Sequence, residues 1–304
     1  MADTALTVGF IGLGNMGGRM ARCVTNAGVA VIGYDARAEA VKKAGAQLAP
    51  SAADVVRSAD VVFFSLPDSR VVEAVVYGDS AFLESVREGQ VLVDLSTAAP
   101  ESTRRIASDV AAKGATYLDA GISGGAAAAE KGALTLMVGG DAAATDRVRP
   151  IMQHFASNVY LCGVSGAGHT VKLLNNFLNA TALSATAEVM VAARKAGLDL
   201  ETVLDVFNAS SGVNFATQNR FPKIIKGDYL KGGLTNSLML KDVTLYLELL
   251  AELGVPSLNA PGPTAAFGLA RALGYADEIS NTVVDAIGDV SGGVRLHEQE
   301  GQQL

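Results

Sequence analysis

Tryptophan is absent from this chain, and only two cysteines and three histidines occur among its 304 residues. Each scarcity narrows what the protein can be. Cys23 and Cys162 lie far apart with no CxxC spacing, in the apolar contexts Met20-Ala-Arg-Cys23 and Tyr160-Leu-Cys162. They read as buried free thiols, not as a disulfide framework or a metal site. Basic clusters never exceed two adjacent residues, and the net charge is −7 with a pI near 5.0. Nucleic acid and anionic membranes are therefore poor partners. No apolar run reaches the 18 or so residues needed to cross a bilayer. The N-terminus lacks a basic segment followed by an apolar one, so no signal peptide is read, and the expectation is a soluble, cytoplasmic protein. Charge is scarce as well, at 18%, whereas apolar residues make up 49%. That balance builds a large core and suggests surface lost in a homodimer or homotetramer.

The length suits two domains of ordinary size. In the first half, short Val-, Ile-, Phe- and Tyr-rich runs alternate with helical stretches. Strands are predicted over 7–13, 30–34, 60–66, 90–95, 116–119, 134–138 and 158–161. Helices are predicted over 16–27, 37–44, 52–58, 100–113 and 141–154. This alternation argues for a doubly wound, mostly parallel sheet. After Gly163-Val-Ser-Gly-Ala-Gly168 the strand signals stop. A helix of more than 25 residues is expected from about His169 to Ala196, ended by Gly197, and its length suits a bridge between domains. Further helices are predicted over 200–208, 238–253, 261–273 and 276–287, with a polar tail from Gly292. The expected organisation is an α/β dinucleotide-binding domain over 1–164 and an all-helical substrate and oligomerisation domain over 165–304.

Gly12-x-Gly14-x-x-Gly17 follows the first predicted strand and opens the first helix. Gly12 allows the tight turn, Gly14 a close backbone approach to a pyrophosphate, and Gly17 tight strand–helix packing. The helix N-terminus then presents free N–H groups to phosphates, which places Leu13, Asn15 and Met16 at the cofactor as well. An ordinary glycine-rich turn is the competing reading. Asp35 ends the second strand, where a carboxylate bonds ribose hydroxyls and repels a 2′-phosphate, favouring NAD. Arg37, two residues on, leaves NADP open. Ser65-Leu-Pro67 and Asp94-Leu-Ser-Thr97 close the third and fourth strands, at the carboxyl edge where ligands bind in such sheets. Thr97 is thus a cofactor candidate, unless Ser96 or Thr97 caps the helix near Pro100. Gly121-Ile-Ser-Gly-Gly125 offers a hydroxyl and exposed amides suited to a carboxylate, with a simple turn as the alternative.

On a helical period Lys172, Asn176 and Asn179 share one face of the long helix, with Asn175 beside them. Leu173, Leu174, Phe177 and Leu178 cover the rest. Burying a lysine and amides is costly without partners, so the stripe should face something polar. With a nucleotide loop upstream, this points to hydride transfer with Lys172 moving the proton. Burial and an oxidised nicotinamide both act to bring a lysine's pKa down towards use. A lysine snorkelling from the first helical turn is the bland alternative. Lys241-Asp242, inside an apolar helix, reads as a structural pair.

Taken in order, Gly9–Gly17, Leu66-Pro67, Asp94–Thr97, Gly121–Gly125, Lys172–Asn176 and Lys241-Asp242 resemble the β-hydroxyacid dehydrogenases, the 3-hydroxyisobutyrate dehydrogenase-like family, from about residue 7 to 291. The resemblance implies that Lys172 is the catalytic acid/base and that Asn176 helps hold the substrate. It also implies that Ser123, Gly124 and Gly125 bind the substrate carboxylate, while Leu66, Pro67, Thr97 and Lys241 contact the cofactor. The family usually has proline where this chain has Gly121, which would loosen the substrate loop. Its NADP-using members tend to carry Asn-Arg where this chain has Asp35-Ala36, which supports NAD. Val71 replaces a cofactor-binding asparagine, and no contact is carried over there. Asn214, Phe215 and Gln218 lie near the expected substrate mouth, where amides suit a substrate more polar than 3-hydroxyisobutyrate, such as a 3-hydroxy amino acid.

The activity expected is oxidation of a small 3-hydroxy acid to the semialdehyde or ketone, with NAD and with NADP not excluded. Rival enzyme readings are an NADPH-dependent semialdehyde reductase and an imine reductase of the same fold. A non-catalytic dinucleotide-binding module is the rival of another class. A zinc-dependent alcohol dehydrogenase is disfavoured by the few histidines and cysteines. No Tyr-x-x-x-Lys occurs at any of the seven tyrosines, which excludes a short-chain dehydrogenase.

Overall fold

The computed structural model describes residues 6–78, 81–230 and 232–297. Its contacts divide the chain into Met1–Lys172 and Leu173–Leu304.

The first unit is built on β1 (Val8–Ile11), α1 (Gly17–Asn26), β2 (Val31–Tyr34), α2 (Ala38–Lys43), β3 (Gln47–Leu48), α3 (Ala52–Ser58) and β4 (Val61–Phe64). It continues through α4 (Ser69–Tyr77), α5 (Ala81–Ser85), β5 (Val91–Asp94), α6 (Pro100–Ala111), β6 (Thr116–Ser123), α7 (Gly125–Glu130), β7 (Leu134–Gly139), α8 (Ala142–Met152) and β8 (Ala156–Gly163). The strands form one sheet in the order β3-β2-β1-β4-β5-β6-β7-β8. The first six run parallel in the doubly wound dinucleotide-binding order, β7 is antiparallel to β6, and β8 is parallel to β7. Val8–Ile11, Val61–Phe64 and Val91–Asp94 are buried at every position. A parallel sheet covered by helices on both faces requires such continuous apolar runs. On one face Phe10 stacks on Phe63 with centroids 5.0 Å apart, and Phe155 meets both edge-on.

α9 (Ala167–Lys195) begins in the first unit and continues in the second. α10 (Leu200–Asn208), α11 (Phe215–Asn219), α12 (Phe221–Ile224), α13 (Asn236–Leu253), α14 (Pro261–Ala272) and α15 (Val283–Val290) follow. Their core gathers Leu183, Ala187 and Met190 of α9 with Phe221, Ile224, Met239, Val243, Phe267 and Val283.

Several expectations are corrected. The last helix begins at Val283, not near 276, after a short 3-10 turn at Ser280–Thr282. Buried Asn236 is the reason: its Nδ2 donates to the Tyr275 carbonyl and to Thr282 Oγ1, and its N–H donates to the Glu278 carbonyl. Those bonds compete with the helical pattern over 275–282. The structure adds helices α4, α5, α7, α11 and α12 and the two-residue β3 to the predicted elements; all of these but α4 are too short to show a period. α4 is rich in β-branched valine, yet Asp68 caps it by accepting from the Val71 N–H at 3.0 Å. Cys23 and Cys162 are free but only half-buried, and burial raises the pKa of both thiols. Of the polar tail, residues 298–304 lie outside the described residues. No helix among the described residues is long and apolar enough to cross a membrane.

Candidate active site

The glycine loop joins β1 to α1 as its spacing predicts. Gly12 sits at φ +86°, and a Cβ there would fall 2.4 Å from the Ser65 carbonyl oxygen. At Gly17 a Cβ would fall 2.0 Å from the Gly12 carbonyl oxygen. No other residue fits these two positions, and the cradle they leave is the one a pyrophosphate needs. Asp35 holds the turn from the other side. Its carboxylate accepts from Leu13 N–H at 2.8 Å and Arg37 N–H at 2.9 Å, with Arg37 Nε 3.6 Å away. Beside the loop a depression of about 280 Å³ is lined by Leu13, Gly14, Asn15, Gly18, Arg19, Arg22, Arg37, Glu39, Ala40 and Lys43. Four cations and Glu39 line the depression, and Arg37 on its rim reaches Asp35; a carboxylate beside cations fits the adenosine end of NAD and tolerates a 2′-phosphate.

β4 and β5 pair in parallel, so the segments after them lie side by side and bring Leu66, Pro67 and Thr97 to one edge of the sheet. Ser96 ties the two segments together: its Oγ accepts from Leu66 N–H at 3.0 Å, and its own N–H donates to Asp94 Oδ1 at 2.9 Å. Neither Ser96 nor Thr97 caps α6. Its N-cap is Ala99, whose N–H donates to Ser69 Oγ.

Gly121 does not loosen a loop; it lies inside β6, opposite Met137 of β7. A Cβ at Gly121 would fall 2.5 Å from Lys172 Cβ. Glycine here lets α9 approach the strand closely enough to seat the lysine. Gly168 repeats the device, with the Met137 carbonyl oxygen 2.2 Å from where its Cβ would stand. Ser123 ends β6, and Gly124 at φ +125° and Gly125 at φ +69° turn the chain into α7. Two successive positive φ angles expose backbone amides at this corner.

Lys172 is 9% exposed. The start of its helix is pinned by Asp119, whose two oxygens accept from Gly166 N–H at 2.7 Å and His169 N–H at 2.8 Å. The His169 ring is fully buried, with Nδ1 2.7 Å from Thr103 Oγ1. Nearby the Tyr117 hydroxyl donates to Asp94 at 2.9 Å, and burial, then the Asp94 charge, keep the phenol neutral far above its ordinary range. Asp119 ends a strand predicted from sequence, but nothing in the sequence marked it or His169 as supports of the lysine.

In the second unit Asn176 is 4% exposed, and its Nδ2 donates to Asp242, itself 1% exposed. Lys241 Nζ lies 3.1 Å from the other Asp242 oxygen. The Lys241-Asp242 pair therefore shares the polar stripe of α9 instead of a solvated face. Asn214 does not offer its amide to a substrate. Its Oδ1 accepts from the Ala216 and Thr217 N–H groups, and its Nδ2 donates to Thr186 Oγ1 and the Gly212 carbonyl, so it caps α11. Gln218 is exposed. Arg220, which no sequence signal marked, donates to Asn179 Oδ1 at 3.0 Å.

Known proteins resemble this chain along most of its length. Residues 7–163 match the family model for the NAD binding domain of 6-phosphogluconate dehydrogenase, and residues 166–287 match that for NAD-binding of NADP-dependent 3-hydroxyisobutyrate dehydrogenase. The 2-(hydroxymethyl)glutarate dehydrogenase of Eubacterium barkeri is 35% identical over 285 residues, covering 93% of this chain and 95% of that protein. An NAD-dependent L-serine dehydrogenase of Pseudomonas aeruginosa is 38% identical over 251 residues, covering 79% and 84%. Among solved structures, Mycobacterium tuberculosis 3-hydroxyisobutyrate dehydrogenase with L-serine superposes with a TM-score of 0.83 at 29% identity, covering 94% of this chain and 99% of that one. With the glycine cradle and the buried lysine, these likenesses place the chain in the β-hydroxyacid dehydrogenase family, whose members are NAD(P)-dependent oxidoreductases acting on a CH–OH group.

Proposed function

We propose that the protein oxidises a small 3-hydroxy acid to its semialdehyde or ketone, with Lys172 as general acid/base. The observation that carries this reading is the seating of Lys172: shielded from water, its Cβ against Gly121, on a helix start held by Asp119. A side chain so constrained is suited to meet one proton in one place.

Residues 1–164 hold the dinucleotide in this reading, through Gly12, Leu13, Gly14, Asn15, Met16, Asp35, Leu66, Pro67 and Thr97, with Lys241 contributing from residues 165–304. NAD is preferred because Asp35 suits free ribose hydroxyls, and the Arg37 rim admits NADP more weakly. When bound, the nicotinamide supplies the hydride acceptor. The chain's own residues do the rest. Ser123 and the amides of Gly124 and Gly125 hold the substrate carboxylate. Lys172 Nζ takes the proton from the substrate hydroxyl and returns it to the carbonyl in reduction. Asn176, with its NH₂ turned to Asp242, presents Oδ1, which accepts from Asn175 Nδ2 at 3.4 Å and has a second lone pair for a hydrogen bond from the substrate. The helical second unit also suits assembly in the cytoplasm as a homodimer or homotetramer, since α9 exposes Leu174, Leu178 and Val189 at helical spacing.

A spectrophotometric screen tests the reading, with NAD and NADP in parallel. The panel contains 3-hydroxyisobutyrate, L-serine and 2-(hydroxymethyl)glutarate. NADH formation from at least one of them is expected; tight cofactor binding with no turnover would instead favour a non-catalytic dinucleotide module.

A further inference from the structure

Arg220 lies between α11 and α12, with its guanidinium half-buried in the second unit. Among the described residues its side-chain hydrogen bonds are to neutral groups. Nη1 donates to Oδ1 of Asn281, itself 2% exposed, at 2.7 Å, and Nη2 donates to Asn179 Oδ1 at 3.0 Å. The ring of Phe215 covers it, with the guanidinium carbon 5.7 Å from the ring centre. Among the described residues no carboxylate forms an ion pair with it. Burial alone acts on its pKa, lowering it to about 10.

A guanidinium withdrawn from water without a counter-charge is costly, and two amide oxygens repay only part of that cost. The five N–H donors of arginine are arranged as a fork that matches a carboxylate. Two are used by the asparagines, so Nε–H and one hydrogen on each terminal nitrogen remain. The asparagines also fix the plane of the fork, which makes the site pre-organised.

Its place on α9 says what the anion belongs to. Asn179 stands three residues after Asn176, a rise of about 4.5 Å along the helix. Arg220 is therefore bonded to α9 about one turn on from Asn176, the residue assigned to the substrate's reacting end.

We propose that Arg220, held by Asn179 and Asn281, binds a second carboxylate carried by the substrate, so that the preferred substrate is a 3-hydroxy acid with an anionic arm. This rests on the dehydrogenase reading above and narrows its substrate class. The reaction is unchanged by the arm. Only the binding energy of the charged end is added, and it appears mainly in KM.

The test compares three substrates that share one reacting end, at saturating NAD. They are 3-hydroxyisobutyrate, 2-(hydroxymethyl)glutarate, and 2-(hydroxymethyl)pentanoate as the uncharged arm of similar length. For the native protein, kcat/KM on the charged arm should exceed that on the uncharged arm by roughly tenfold or more, as a charge-assisted bidentate contact allows. In Arg220→Met that ratio should fall to near one, with the loss in KM, and Arg220→Lys should recover part of it. A native ratio near one overturns the proposal without any variant. So does an Arg220→Met protein that keeps the preference. NADH from none of the three would overturn this inference, and the dehydrogenase reading falls with it only if L-serine also yields none.

Discussion

Asn176 donates its Nδ2 hydrogen to the buried carboxylate of Asp242, a charge-assisted bond between α9 and α13 beside the stacked rings of Phe177 and Tyr246. This bond decides which way the amide points. A carboxylate only accepts, so the NH₂ must face Asp242 and Oδ1 must face away. Lys241 completes the set on the far oxygen.

Asp242→Asn removes that constraint and lets the Asn176 amide invert. The expected result is a loss of about tenfold or more in kcat/KM, the scale of a charge-assisted hydrogen bond. In the Asp242→Asn background Asn176→Ala should cost much less than it does alone, since coupled residues are not additive. Steady-state kinetics on the four proteins of the cycle would show it, and strict additivity would remove the coupling.

Lys172→Ala should lower kcat by roughly 100-fold or more, as loss of an acid/base group does. Cofactor affinity, followed by fluorescence titration of NADH, should change little. Near-normal kcat would end the assignment of Lys172.

Gly121→Ala places a methyl 2.5 Å from Lys172 Cβ, in the middle of β6. Lys172 Cβ and Cγ and the Gly168 carbonyl oxygen, all within 3.2 Å, leave little room to relax. Overpacking of this kind costs about 1–3 kcal/mol. A lower melting temperature together with a reduced kcat is expected. If kcat held while stability fell, the glycine would matter for packing alone.

Asp35→Ser should move cofactor preference towards NADP, because the carboxylate that repels a 2′-phosphate is gone while Arg37 stays. Arg37→Ala in the native background should raise KM for NADP and leave that for NAD nearly unchanged. Parallel titrations with the two cofactors measure both. The first change also leaves the Leu13 N–H without its carboxylate, at a cost of about 1–3 kcal/mol, so melting curves should accompany it.

Local rules account for what was legible beforehand. Continuous apolar runs marked the central strands, the glycine spacing marked the nucleotide turn, and the uninterrupted helical pattern from about His169 marked α9. Leu200–Asn208 appears where Asp199 and the apolar period place it, since a side-chain cap and a 3.6-residue repeat are written within one segment. Short helices such as α11 and α12, and the delayed start of α15, were not legible. α11 and α12 are too short to show a helical period, although Asn214 caps α11 locally, whereas the start of α15 depends on partners distant in sequence, as Asn236 shows by claiming the carbonyls of Tyr275 and Glu278.

The sequence by itself determined the fold class, the glycine turn after β1 and the lysine set on a polar stripe of α9, because each follows from residue type and local spacing. Only the tertiary structure decided that Asp119 holds the lysine's helix, that Asp242 orients Asn176, and that Arg220 bonds two asparagines and, among the described residues, pairs with no carboxylate. Those facts are relations between residues 41 to 66 positions apart, and hydrogen bonds across such distances exist only once burial has brought the segments together.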